Sequence, residues 1–450
     1  MNKTIKLKKG LDIKLVGKAN KILTDAIVSK TYAIQPPDFE SVLPKLLVKP
    51  NTKVKAGSVL FYNKNNPKVK FTSPVSGTVL EIKRGERRKV LQVIIEPDNQ
   101  NQSENFNIKN NIDDYNRNEI IETLLESGLW PMIMQRPYAI IANPDDTPKS
   151  IFISGFDSAP LGVDYDFILK DRKNDFKAGI DVLQKLTSKI YLNVDGKKPV
   201  PDVYNIKNVI INKIIGKHPA GVVGVQINNI DPVNKGEKVW YINPQDVAII
   251  GKLFLTGDFD LTKIVALAGS EVSDPKYYKT KIGSQIKSII NENLKTKENI
   301  RIISGNVLTG RKTACTNYLG FYDSLISVIP EGNYYEFLGW GLPGFKKFSM
   351  SRTFFSWLTP KKEYKLDTNL HGGKRAFVIS EQYDKVVPMD ILPQQLLRAC
   401  IVEDIDKMEQ LGIYEVAEED FALCDFVCTS KIEVQEIIRK GINLMIKEIG

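Results

Sequence analysis

The chain has 450 residues, of which 42% are hydrophobic and 26% charged, with a net charge of +10 at neutral pH; this is the composition of a folded protein of about three domains, not of a disordered one. No apolar run reaches about 18 residues, which argues against a bilayer-spanning helix, and the basic N-terminus MNKTIKLKKGLDIKL lacks the apolar core of a secretory signal. Four cysteines (Cys315, Cys400, Cys424 and Cys428) suit a reducing compartment such as the cytoplasm better than a disulfide scaffold.

The charge is uneven. Residues 1–95 carry +14, leaving −4 for the rest, and residues 398–430 hold nine acidic side chains against Arg398 and Lys407. A basic segment suits an anionic membrane surface, an acidic partner or a solvated face. Nucleic acid is not an expected partner, because no zinc-finger spacing, basic helix or RNP-like motif accompanies the charge.

In chain order, LLVKPNTKVKAGSVLFYN, VKFTSPVSGTVLEIKRG and RKVLQVIIEP read as short strands separated by turns, so residues 42–96 are expected to form hairpins or a small barrel within a first domain of residues 1–96. Residues 97–118 are polar and asparagine-rich, the composition of a linker. Over 119–255 the period changes. EIIETLLESGLW predicts a helix stopping near Gly128, followed by strands at AIIAN, SIFISG, KIYLNV and NVIINKI and a helix at DFKAGIDVLQKLTS, the domain ending in NPQDVAIIGKLFLTG. That alternation predicts an α/β domain with parallel pairing. Residues 256–330 predict a small α+β unit from KIVALAG, IRIISGN and SLISVI around the helix GSQIKSIINENL. The span 331–389 is aromatic-rich and connecting, and 390–450 is helical.

Several strings imitate binding motifs. GWGLPG at 339–344 satisfies G-x-G-x-x-G, but FKKFSMSRTFFSWLTP after it is a poor helix and no second strand follows, so a turn is expected. At 305–313, GNVLTGRKT misses the phosphate loop because Arg311 displaces Lys312. Cys424 and Cys428 offer too few ligands for zinc or an iron–sulfur cluster and read as core cysteines. No metal site is expected. His218, in GKHPAG, reads as a turn residue.

Two stretches hold candidate contacts. SGLWPMIMQRPY offers Trp130, Met132, Met134, Arg136 and Tyr138, either an apolar wall for a ring or a strip of core at a domain edge. Residues 345–358 interleave Phe345, Phe348, Phe354, Phe355 and Trp357 with Lys346, Lys347 and Arg352, which suits a membrane interface, an apolar partner or core packing.

The ordered strings KKGLDI, VKFTSPVSGTVLEIKRGERR, ESGLW, GKHPAG, NPQDV, GKLFLTG, RIISGNVLTG, LPGFKKFS, LLRAC and EEDFALCDFVC span nearly the whole chain. Together they resemble the A subunit of the bacterial Na+-translocating NADH:quinone reductase, a family similar to the C subunit of the Rnf complex. The resemblance implies a multidomain α/β and α+β protein: a barrel-sandwich (biotinyl/lipoyl-like) domain, a Rossmann-like domain, a β-grasp unit and a helical C-terminal domain. It implies a peripheral subunit on the cytoplasmic side of the bacterial inner membrane, within a six-subunit complex that oxidises NADH, reduces ubiquinone-type quinone and moves Na+ outward.

Flavins and the iron–sulfur centre belong to other subunits in that family, so no cofactor and no catalytic residue are expected on this chain. Its implied partners are the membrane subunit carrying the quinone path and the quinone itself. Trp130, Arg136 and Tyr138 are then the candidate quinone contacts, and the 345–358 aromatics and cations the candidate docking residues. The alternative is a soluble flavin-dependent NADH oxidoreductase built on the Rossmann-like domain.

Overall fold

The computed structural model describes residues 3–98, 100–339 and 341–449. Its centre is a seven-stranded sheet in the order Thr4–Lys6, Ile210–Ile215, Ile190–Asp195, Ile151–Ser154, Val239–Tyr241, Met134–Arg136, Ile140–Ile141. The first five strands run parallel and the last two pair antiparallel. From Ile151–Ser154 the chain moves outward through two strands, then jumps to the other side of its starting strand to lay down Val239–Tyr241. That reversal is the switch point at which open α/β sheets leave a crevice beyond their carboxyl ends.

Helices Lys173–Gln184 and Pro244–Thr256 pack together so closely that only glycine fits at the contact. A Cβ on Gly251 would lie 1.8 Å from the Asp175 carbonyl oxygen, and one on Gly179 would lie 2.0 Å from that of Val247. Within the sheet, buried amides form a chain in which Asn212 Nδ2 donates to Asn193, Asn193 Nδ2 to Gln226, and Gln226 Nε2 to Ser154 Oγ (3.1, 2.9 and 2.8 Å). Each buried polar group thereby keeps a partner, as burial demands.

The helix read from EIIETLLESGLW runs Arg117–Ser127, with an Asn116/Glu119 capping box at its start and Gly128 (φ 70°) ending it in the left-handed region.

Two sheets, Tyr32–Ile34 with Val90–Pro97, Gly77–Arg84 and Lys53–Val54, and Pro44–Leu46 with Val59–Asn63 and Asn66–Thr72, make the barrel-sandwich. The residues before it go elsewhere. Thr4–Lys6 extends the central sheet, and Asn20–Asp25 pairs parallel with Lys276–Lys281 at the edge of the third sheet. Within the span read as one domain, residues 4–25 therefore tie together the two domains that follow it in the chain.

The third sheet is the β-grasp unit, with Leu325–Pro330 parallel to Thr262–Ala268 at its centre and the short helix Ile286–Ile290 against it. GNVLTGRKT forms the hairpin between Ile300–Ser304 and Arg311–Thr313, so the near-miss phosphate loop is a turn, with Gly305 at φ 98°. GWGLPG, of which Trp340 lies outside the described residues, has neither strand before it nor α-helix after it among the described residues.

Beyond 331 the chain is mostly irregular, held by Tyr364 N–H to the Lys14 carbonyl and Gly10 N–H to that of Lys385 (2.8 and 2.9 Å). It ends in helices Pro393–Ile401, Ile405–Gln410, Ala422–Val427 and Val434–Glu448. Cys400, Cys424 and Cys428 are buried there, and Tyr383 Oη donates to Cys428 Sγ at 2.9 Å.

Candidate functional site

A cavity of about 450 Å3 opens at the switch point. Ser154, Phe156 and Asp157, which follow one central strand, face Tyr241, Ile242 and Asn243, which follow the other. The rest of the wall is assembled from remote segments: Met132, Met134 and Ala139 beside the antiparallel strands, Asp38 of the barrel-sandwich, Arg311 and Tyr322 of the β-grasp unit, and Glu418 and Glu419 of the helical domain. All four structural units contribute. Methionine, phenylalanine and tyrosine side chains give it the mainly apolar lining of a small-molecule site.

Its charges are arranged in pairs. Seven carboxyl side chains line the cavity against one guanidinium. That guanidinium, Arg311, is held by Asp38. The cations behind the wall are committed too. Arg136, wholly buried, donates from Nη1 to Asp420 (2.9 Å) and from Nη2 to Glu419 (2.8 Å). Arg439 pairs with Glu418 and donates to the Tyr138 carbonyl at 3.0 Å. Buried Lys263 lies 3.1 Å from Asp246, in the first turn of Pro244–Thr256, and donates to the Phe321 carbonyl at 2.9 Å. A phosphate seeks free guanidinium or ammonium groups. Each of these cations already serves a carboxylate.

Enclosure shifts the ionisable groups. Burial lifts the Asp157 and Asp246 carboxyls above the usual carboxylate range, against the pull of two backbone N–H donors on Asp157 and of Lys263 on Asp246. Glu419, 39% exposed and lining the cavity, is raised to about 7, chiefly by desolvation and only partly offset by Arg136. Burial lowers His218 to about 4, so its imidazole is neutral near pH 7. His218 Nδ1 lies 3.0 Å from Ser158 Oγ, which accepts from Gly221 N–H at 2.8 Å. His218 thus lines the cavity as well as shaping the GKHPAG turn. Among the described residues no group of three or more His, Cys, Asp or Glu is placed to hold a metal ion.

The three candidate contacts from SGLWPMIMQRPY lie behind this wall. Trp130 is fully buried, donates Nε1–H to the Ala142 carbonyl at 2.7 Å and meets Trp240 edge-to-face. Arg136 is the buried tie to the helical domain. Tyr138 packs edge-to-face on Tyr414. Met132, Met134 and Ala139, their sequence neighbours, form the surface itself. Ala139 and Tyr138 both carry left-handed φ values, 50° and 82°, a strained conformation for residues with a Cβ.

Of the docking candidates, Phe345, Lys346, Arg352, Phe355 and Trp357 are exposed, while Lys347, Phe348 and Phe354 are half-buried. Lys347 is held by Glu336, and Phe348 packs on Tyr364 and Phe426.

Known proteins share this arrangement of units. The family model described as the NqrA N-terminal barrel-sandwich hybrid domain matches residues 5–98, the NqrA second alpha/beta domain 115–259, and the NQRA C-terminal domain 264–314. The A subunit of the Na(+)-translocating NADH-quinone reductase of Rhodopirellula baltica is 37% identical, over 98% of this chain and 98% of its own length. Those of Pasteurella multocida and Haemophilus influenzae are 38% and 37% identical, each over 99% of this chain and all of their own. The chain belongs to this A-subunit family.

The family's barrel-sandwich match overlies the two small sheets, and its alpha/beta match contains both switch-point strands. A solved NAD+-reducing [NiFe]-hydrogenase chain is 10% identical with a TM-score of 0.39, over 74% of this chain and 61% of that one, a likeness too slight to argue from. Among the described residues no helix is long and apolar enough to cross a membrane.

Proposed function

We propose that this chain is a peripheral, cofactor-free subunit of a Na+-translocating NADH:quinone reductase, on the cytoplasmic side of a bacterial inner membrane, and that its switch-point cavity receives the quinone head. The complex takes electrons from NADH through flavins and an iron–sulfur centre on other subunits, and its quinone reduction is coupled to outward Na+ movement. Five further subunits, foremost the membrane subunit bearing the quinone path, are the partners.

One observation carries the assignment of ligand. The cavity has an apolar wall and no cation free for a phosphate among the described residues, because Arg311, Arg136, Arg439 and Lys263 all serve carboxylates. Such a wall disfavours a flavin or nicotinamide nucleotide and suits a neutral ring with carbonyl acceptors. Neutral His218, which lines the cavity, offers it a hydrogen-bonding group without a net charge. In this reading Arg136, Tyr138 and Trp130 hold the wall from behind and do not touch the ring.

The test is titration of the purified chain with a water-soluble benzoquinone, followed by tryptophan fluorescence. Saturable one-to-one binding, weakened by Met134→Lys, is expected; no binding to the intact fold would refute the reading. The flavin-dependent oxidoreductase alternative predicts a visible flavin absorbance band on the purified chain.

A further inference from the structure

The irregular segment after the β-grasp unit turns its apolar side chains outward. Tyr335 is fully exposed, Phe337 is 89% exposed, Phe345 67% and Trp357 50%, with Leu342 and Leu358 beside them also more than half exposed. Part of this surface is held together around Phe345: Phe345 meets Phe355 edge-to-face at 5.8 Å, Phe355 N–H bonds to the Pro343 carbonyl, and Lys362 Nζ donates to the Phe345 carbonyl at 2.6 Å. Large apolar side chains exposed together on a folded chain mark a place where something binds.

The charges around the patch are mostly positive. Its acids are largely paired: half-buried Glu331 is held by Arg301 and Lys312, and exposed Glu336 by Lys347. Asp367 accepts from Tyr334 Oη at 2.7 Å. The cations are turned outward. Lys346, Arg352, Lys361 and Lys362 are exposed, with Arg352 over the Trp357 ring at 5.7 Å and Lys362 over that of Tyr364 at 5.2 Å. Glu363, like Glu336, is an exposed acid among them. Aromatic rings with cations at the same level match the interfacial zone of a bilayer, where rings sit among headgroups and cations meet lipid phosphates. With Glu336 paired to Lys347, the exposed cations outnumber Glu363 and leave the positive excess that an anionic surface attracts.

We infer that residues 335–339 and 341–362 rest on the surface of an anionic lipid bilayer, the exposed rings entering the headgroup layer and Lys346, Arg352, Lys361 and Lys362 meeting lipid phosphates. This rests on the peripheral location proposed above and identifies the face that meets the membrane. It is independent of what the cavity binds.

The experiment uses the full-length chain and two sets of vesicles, phosphatidylglycerol mixed with phosphatidylethanolamine, and phosphatidylcholine alone. Co-sedimentation with the anionic vesicles only is expected, with a blue shift of tryptophan emission as Trp357 leaves water. Lys346→Glu with Arg352→Glu should weaken binding more than tenfold, about fivefold for each cation lost. Raising the salt should weaken it by a similar factor. Phe345→Ser should abolish the remainder, and all three side chains are exposed, so folding is undisturbed. Equal binding to both vesicle types overturns the inference, as does binding by the charge-reversed variant at wild-type strength. Absence of vesicle binding overturns it too, whether or not the chain is retained by membrane subunits. A chain that binds vesicles but no quinone contradicts the cavity reading alone.

Discussion

The wall of the switch-point cavity and the segment 335–362 are made of the same residue types, aromatics with arginine and lysine, and use them in opposite ways. Behind the wall, Arg136 and Lys263 are wholly buried, and each is answered by a carboxylate within about 3 Å. In the segment, Lys346 and Arg352 face solvent, and the exposed carboxylate Glu336 is taken by Lys347. A buried charge must be paired because desolvation costs more than one interaction returns; an exposed one is free to meet a partner. The same composition therefore makes an internal clamp in one place and an external contact in the other.

Substitutions that break the clamp should have the largest effects. Arg136→Ala strands Asp420 and the Glu419 carboxyl in the wall, and the loss of a buried pair's partner is worth about 3–5 kcal/mol. Urea unfolding should show that loss, and limited proteolysis should cut the helical domain after residue 390 sooner than in the wild type. Lys263→Met, which leaves Asp246 buried without its cation, should destabilise in the same direction but by less, because it strands one carboxylate where Arg136→Ala strands two.

The pH dependence sharpens the contrast at one residue. Glu419 is raised to about 7 from an ordinary value of 4.5, so the folded chain holds its proton more tightly than the unfolded one. Its contribution to stability is therefore fully present below about pH 4.5 and is lost as pH rises through about 7. Thermal melts of wild type and Glu419→Gln should diverge over that window, with the variant relatively more stable at pH 8. Parallel melts across the window would show that Glu419 is not enclosed in this way.

The smallest effect on folding belongs to the external patch. Trp357→Ala should change stability by no more than about 0.5 kcal/mol, as exposed positions do, while reducing the amount of chain retained on membranes.

Much of this architecture is legible in the sequence because it rests on local periodicity. The helices Arg117–Ser127, Lys173–Gln184 and Pro244–Thr256 follow apolar spacing closed by Asn116, Gly128 and Gly257. What the sequence hides is what only tertiary pairing decides. Thr4–Lys6 is a lysine-flanked, mostly exposed triplet that becomes a strand by joining Ile210–Ile215. Val239–Tyr241, one of the two strands that define the crevice, is only three residues long and follows a polar turn. The acidic run Glu418–Asp420 stands out by charge, but its partner Arg136 lies more than 280 residues away, so the pair has no local signal. Met132, Met134 and Tyr138 mark a wall in the sequence; which side chains face the cavity and which stand behind it is set by the strand turning at Tyr138 and Ala139.

The most direct measurement is equilibrium dialysis of the purified chain against a water-soluble benzoquinone and flavin mononucleotide together. If every cation at the cavity is committed to a carboxylate, the quinone is retained at one per chain and the flavin distributes equally across the membrane. Stoichiometric retention of the flavin, displacing quinone, would contradict the account.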